Sequence, residues 1–166
     1  CYTMRAIDMT EKQLIAPIHT LVELAMSRGT PFLAIGDGGN ELGMGKVYDA
    51  ILANPQISNE ETIGAVLAAD HLVAASVSNW GGYALAAGAA LVRSTEDNSK
   101  TVQEWIEACL PSEADEVALL DKCVAAGCRD GVSGLMESTV DGMPLETSLE
   151  CLRNIRQISL SFSLLP

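Results

Sequence analysis

Twice in this chain a short apolar run gives way to a polar, glycine-bearing loop and then to a helical pattern. The first instance is the run over 31–35, the loop Gly36-Asp37-Gly38-Gly39-Asn40-Glu41, and a helix predicted over 40–53. The second is the run over 71–76, the loop 77–82, and a helix predicted over 79–92. Parallel strands cannot be joined by a tight hairpin, so this alternation predicts right-handed crossovers between them. The expected fold is α/β: a mainly parallel sheet with helices packed on it and glycine-rich loops at the carboxyl ends of strands. Ligand-binding loops in such sheets lie at that carboxyl edge. Both polar loops are therefore expected to open on the same side.

Composition agrees. Apolar residues make up 48% of the 166 positions and aromatic ones 4%, so the core must be built from Ala, Leu, Val and Ile. That suits helices on a sheet. The length corresponds to a single α/β domain over 1–166, or the later part of a longer one. Thr10-Glu11-Lys12-Gln13 is a capping-box pattern ahead of apolar residues at helical spacing, and Arg28-Gly29 ends that helix. Pro17 either kinks it or marks its first turn. Further helices are predicted over 60–68, 101–109, 113–126 and 145–158, with an irregular stretch over 129–143. Within that stretch a short strand is expected at 138–140 and a turn at Asp141-Gly142. Residues 159–166 show no pattern. The uncharged stretch 71–92 has Ser76, Ser78, Asn79 and Gly81-Gly82 in its middle, which fits strand, turn and helix better than a bilayer span.

The formal charge is −12. This argues against nucleic acid, whose phosphates need Lys and Arg, and against an anionic membrane surface. The five cysteines contain no CxxC pair and no histidine at zinc spacing. They read as reduced thiols of a cytosolic or matrix-like compartment. The chain opens on Cys1 rather than Met, which reads as a fragment or a processed product.

The chemistry concentrates at residues 36–45, where five of ten residues are glycine. Glycine lets backbone turn sharply and approach a ligand closely. Asp37 at a strand end and Glu41 in a first helical turn can face one small volume. Two carboxylates there can hold a divalent cation such as manganese or magnesium, or one can act as general base. Gly38, Gly39 and Asn40 offer backbone amides and an amide side chain to a substrate. A plain structural reading stands beside these: Asn40 caps the helix and Glu41 answers its dipole. The second loop adds Ser78, Asn79, Trp80 and Gly81 as candidate substrate contacts, with helix capping as the alternative for Ser78 and Asn79. The spacing matches neither a dinucleotide fingerprint nor a phosphate loop, so no nucleotide cofactor is expected. Asp70-His71 reads as a turn and His19 as a structural residue of the first helix. Glu137 and Asp141 are further oxygen donors or turn chemistry.

The motif GDGGNELGMGK, followed by SNWGGYAL and then VDGMPLE, resembles the carboxyl-terminal domain of the D-glutamate cyclase family over about residues 6–158. The resemblance implies conversion of D-glutamate to 5-oxo-D-proline and water by a hydro-lyase, on a small amino-acid substrate. It implies the mitochondrial matrix for an animal protein and the cytoplasm otherwise. It also implies that the family domain extends further on the amino-terminal side, and that 159–166 lies outside it. A homo-oligomer is compatible with the sequence. In such chemistry Asp37 or Glu41 takes the amine proton or holds the metal, and the loop amides stabilise the oxyanion. Two other readings stay open. One is a metal-dependent phosphatase of the haloacid dehalogenase type, whose late acidic motif looks like residues 36–41; Asp8-Met9-Thr10 does not supply its paired nucleophile. The other is a non-catalytic metal- or metabolite-binding domain.

Overall fold

The computed structural model describes residues 16–162. The Thr10 capping pattern lies outside the described residues. The elements in order are α1 (Ile18–Ser27), β1 (Leu33–Gly36), α2 (Tyr48–Leu52), α3 (Glu60–Ile63), β2 (His71–Ala74), α4 (Ser78–Glu96), α5 (Val102–Cys109), α6 (Glu113–Ala125) and α7 (Leu145–Phe162). The architecture is α/β, as expected. The chain divides into two compact units, with the boundary between Gly81 and Gly82 inside α4.

In the first unit β1 and β2 pair in parallel, with Leu33 opposite His71 and Gly36 opposite Ala74. The uncharged stretch 71–92 resolves into β2, a turn and α4, and no helix among the described residues is long and apolar enough to cross a membrane. Pro17 sits at the N-cap of α1, so it marks the first turn and does not kink the helix. Arg28 closes α1, and Gly29 follows at φ 78°, the left-handed backbone that glycine adopts without penalty.

Two predicted helices come out shorter. The one expected over 40–53 begins only at Tyr48, after a 3₁₀ turn over Gly45–Val47. The cause is pairing with a remote segment. The Ala65 amide donates to the Gly39 carbonyl at 2.9 Å, Gly45 to Leu67 at 3.1 Å, and Ala69 to Gly43 at 3.0 Å. These bonds, with Gly43 at φ 104°, replace the i to i−4 ladder. Asn40 and Glu41 therefore belong to a loop and not to a first helical turn. The helix expected over 60–68 stops at Ile63, because Gly64 turns extended (ψ 129°) and leads into that partner segment.

The second unit is helical. Tyr83, Ala87 and Ala90 are buried at i, i+4, i+7 spacing on α4. The small alanines permit close helix packing. Helices α5 and α6 both pack on α7, where Ile106, Leu110, Leu149 and Leu152 are buried. Thr101 and Ser112 each form a complete capping box at the start of α5 and α6. Helix α7 runs to Phe162, past the predicted end at 158. The four cysteines among the described residues are free.

The irregular stretch 129–143 is organised by one carboxylate. Asp130, 8% exposed, accepts from the amides of Val132, Ser133 and Gly142 and from the Thr139 hydroxyl. The strand expected at 138–140 reduces to a single antiparallel bridge between Val140 and Met143. Asp141 and Gly142, at φ 54° and 74°, make the turn between them. Burial alone raises the Asp130 pKa; the donors from Gly142, Ser133, Thr139 and Val132 outweigh it and hold the carboxyl well below the usual range. Asp130→Ala is expected to cost roughly 1.5–3 kcal/mol at neutral pH, the contribution of hydrogen bonds to a charged group. Because the folded pKa is depressed, the parent's advantage should be complete above about pH 4 and shrink as pH falls below it. Urea denaturation of both proteins at pH 7 and pH 3 checks this, and an unchanged gap between them contradicts it.

Candidate functional site

The two polar loops meet at the carboxyl ends of β1 and β2. The contact is direct: one carboxylate oxygen of Asp37, Oδ2, accepts from the Ser78 amide at 2.7 Å and from the Ser78 hydroxyl at 2.6 Å. Asp37 is the residue just past β1, and Ser78 is the first residue of α4. A strand-end carboxylate thus caps a helix elsewhere in the chain and meets its positive end. Gly81, buried one turn along α4, makes the approach close. A Cβ there would lie 2.6 Å from Ile35 Cγ2.

Glu41 folds back over its own loop. Its Oε1 accepts from the Gly38 amide at 3.1 Å and its Oε2 from the Gly39 amide at 3.0 Å. The Asp37 and Glu41 carboxyls are themselves hydrogen-bonded to each other. Their acidities are pushed apart. Burial raises the Glu41 pKa, and the Asp37 carboxylate beside it adds to the rise against the opposing Gly38 amide. For Asp37 burial pulls upward, but the bonds from Glu41, Ser78 and Gly38 prevail and lower it. Two carboxyls this close disfavour double ionisation, and the split runs one way, with Asp37 the stronger acid and Glu41 the weaker.

Three of the four carboxylate oxygens take N–H or O–H donors. These four bonds use only part of the pair's acceptor capacity, since a carboxylate offers about four lone-pair sites. Among the described residues no cluster of three or more His, Cys, Asp or Glu side chains is placed to hold a metal ion.

The other predicted site residues divide. Asp37, Gly38, Gly39, Glu41 and Ser78 come together. Asn79 is exposed and Trp80 half-buried in the first turn of α4, while Gly81 serves packing. Packing also accounts for several loop glycines. A Cβ would meet Met44 Sδ at 2.3 Å from Gly36, Ile51 at 3.2 Å from Gly39, Ala34 Cβ at 2.3 Å from Gly43, and the Val66 carbonyl oxygen at 2.3 Å from Gly45. Gly38 is the exception; its nearest neighbours are Asn40 and Glu41 themselves. Asn40 lines a different space, a cavity walled by His19 and Glu23 of α1. His19, read from sequence as structural, is exposed at that cavity. Its i, i+4 spacing to Glu23 was the available signal. Asp70 is a turn residue, accepting the Phe32 amide at 2.7 Å while Lys46 bonds its carbonyl. Asp141 lies in the Asp141-Gly142 turn.

The sequence matches the family described as D-glutamate cyclase-like, C-terminal, over residues 1–156. It is 37% identical over 156 residues to the human protein named D-glutamate cyclase, mitochondrial, an alignment covering 86% of this chain. The same alignment spans 25% of that relative's length. With a family match over residues 1–156 and, across 86% of its length, 37% identity to the human relative, this chain belongs to the D-glutamate cyclase-like carboxyl-terminal family.

Proposed function

We propose that this chain carries acid–base residues of a D-glutamate cyclase, and that Asp37 and Glu41 move the protons of ring closure. The observation that carries the reading is the contacting carboxyl pair, one group driven toward ionisation and the other toward protonation. Converting D-glutamate to 5-oxo-D-proline forms one C–N bond and breaks one C–O bond. The ammonium gives up two protons, and the departing oxygen leaves with both as water. Ionised Asp37 accepts the first from nitrogen. Protonated Glu41 delivers one to the oxygen, takes the second from nitrogen, and Asp37 then passes its own on. The pair returns to its starting state with no proton gained or lost.

The amides of Gly38 and Gly39 hold Glu41 in place and Ser78 holds Asp37, so the pair is preorganised. The substrate is a small amino acid. For an animal protein the mitochondrial matrix is the proposed location, in line with the human relative's name.

The test is 5-oxoproline formation from each enantiomer of glutamate by the full-length protein. Product from the D enantiomer is expected; a folded protein forming none sinks the reading. A pH profile examines the roles. Glu41 must be protonated to donate and its pKa is raised, so turnover should persist above the ordinary carboxylate range of about 4 and fall as pH passes the raised value. Asp37 must be ionised, so a second fall is expected below that range. Glu41→Gln should lose about tenfold or more in turnover and lose the alkaline limb as well. The same limb persisting in the variant would remove Glu41 as donor.

A further inference from the structure

The glycine-rich loop has a second face. Glu41 folds onto the Gly38 and Gly39 amides, while its neighbours Asn40 and Leu42 line a cavity of about 230 Å³. Helix α1 supplies one wall through His19 and Glu23, and the segment that includes Ile63 and Val66 supplies another. Asp37 and Glu41 are not part of the lining. The loop and the segment are fixed to each other by the backbone bonds Ala65 to Gly39 and Gly45 to Leu67. His19 and Glu23 lie four residues apart and so share one face of α1. Both are exposed, and no side-chain hydrogen bond or ion pair ties either to another described residue.

Among the described residues, an acid and a base thus stand unpaired beside a largely apolar cavity. A simple anion would face Glu23, and a simple cation would leave His19 unused. A neutral apolar ligand would strip water from both with nothing in return. A zwitterion satisfies both. The volume falls below the roughly 300–1,000 Å³ of sites for drug-sized ligands and suits a small metabolite.

We propose that this cavity binds a small α-amino acid with an aliphatic side chain. Its ammonium sits on the Glu23 carboxylate, its carboxylate on His19, and its side chain against Leu42, Ile63 and Val66. Glutamate is disfavoured, because its second carboxylate would lie on apolar surface. The site is therefore distinct from the proposed cyclisation. Its occupant touches the residues on either side of Glu41.

Isothermal titration of the full chain with D- and L-leucine tests this, with 4-methylpentanoate and isoamylamine as the analogues lacking the amino or the carboxyl group. Saturable binding of at least one leucine enantiomer is expected, with both analogues at least about tenfold weaker. Glu23→Gln and His19→Ala should each weaken leucine about tenfold or more, and Asp37→Asn should leave it unchanged. No saturable leucine binding, an analogue that matches leucine, or full affinity in Glu23→Gln would each overturn the proposal. The analogue comparison uses unsubstituted protein, so it decides even if a variant misfolds. Leucine binding and 5-oxoproline formation are separate readouts, so failure here leaves the Asp37 chemistry standing.

Discussion

Asp37→Asn should cut 5-oxoproline formation from D-glutamate by about a hundredfold or more while the protein stays folded. The amide is nearly isosteric, and its oxygen can still accept from the Ser78 amide and hydroxyl that hold Asp37 in place. What disappears is a group able to take the substrate's proton. The charge that Glu41 answers disappears with it. Without an anionic neighbour Glu41 loses one of the causes that raise its pKa, so its own protonation should shift toward that of an ordinary glutamate. The stability cost should be modest, about 0.3–1 kcal/mol for removing a carboxylate from a helix N-terminus. Large loss of turnover with small loss of stability separates a catalytic Asp37 from one that only braces α4. Circular dichroism and the thermal midpoint supply the second axis. Parental turnover in a folded Asp37→Asn protein ends the proposed mechanism, and phosphatase activity of the parent on a general phosphomonoester would revive the haloacid dehalogenase reading.

Gly43→Ala is expected to have the largest effect on the fold. Two penalties meet at this position. Gly43 has φ 104°, where an L side chain is strained, and a new Cβ would lie 2.3 Å from the Ala34 Cβ and 3.0 Å from the Ala69 Cβ. Neither neighbour has a flexible end that can swing away. Ala34 is in β1, and Ala69 is bonded through its amide to the Gly43 carbonyl. Strain and overpacking each cost roughly 1–3 kcal/mol. A marginally stable domain of about 5–15 kcal/mol has little to spare against both. Expected outcomes are a clear drop in the urea midpoint and loss of the site with it, since the same loop carries Glu41. Gly82→Ala is the control: a Cβ there meets nothing within 4 Å, and alanine is the better helix former. Equal stability of Gly43→Ala and parent would mean that the loop is not packed as described.

The acidic pair was legible in the sequence because Asp37 and Glu41 lie four residues apart in a glycine-rich loop after an apolar run. The neighbourhood of the two loops was legible as well, since equivalent loops of parallel strands must emerge on one edge. The helix expected over 40–53 was not. Its apolar pattern is compatible with a helix, and the bonds that replace that helix come from residues 65–69, some twenty-five positions away. Local periodicity carries no information about such a partner. For the same reason Glu41, expected in a first helical turn, is found holding the amides of Gly38 and Gly39.

By itself the sequence determined the class of fold, the family, and the loop on which carboxylates gather. The fold class and the loop follow from short-range facts, namely residue type, period, and glycine where backbone must turn; the family follows from the likeness of its motifs to known members. Tertiary structure alone decided what each residue does there. Most loop glycines proved to be places where another chain segment presses in, as Ala34 does on Gly43 and Val66 on Gly45. Asp37 and Glu41 became unequal through partners forty-one residues away in one case and two or three in the other. His19 moved from a helix position read as structural to a cavity wall. A side chain's chemistry is set by its type, but its proton is placed by its burial and by the donors around it, and those exist only once remote parts of the chain have met.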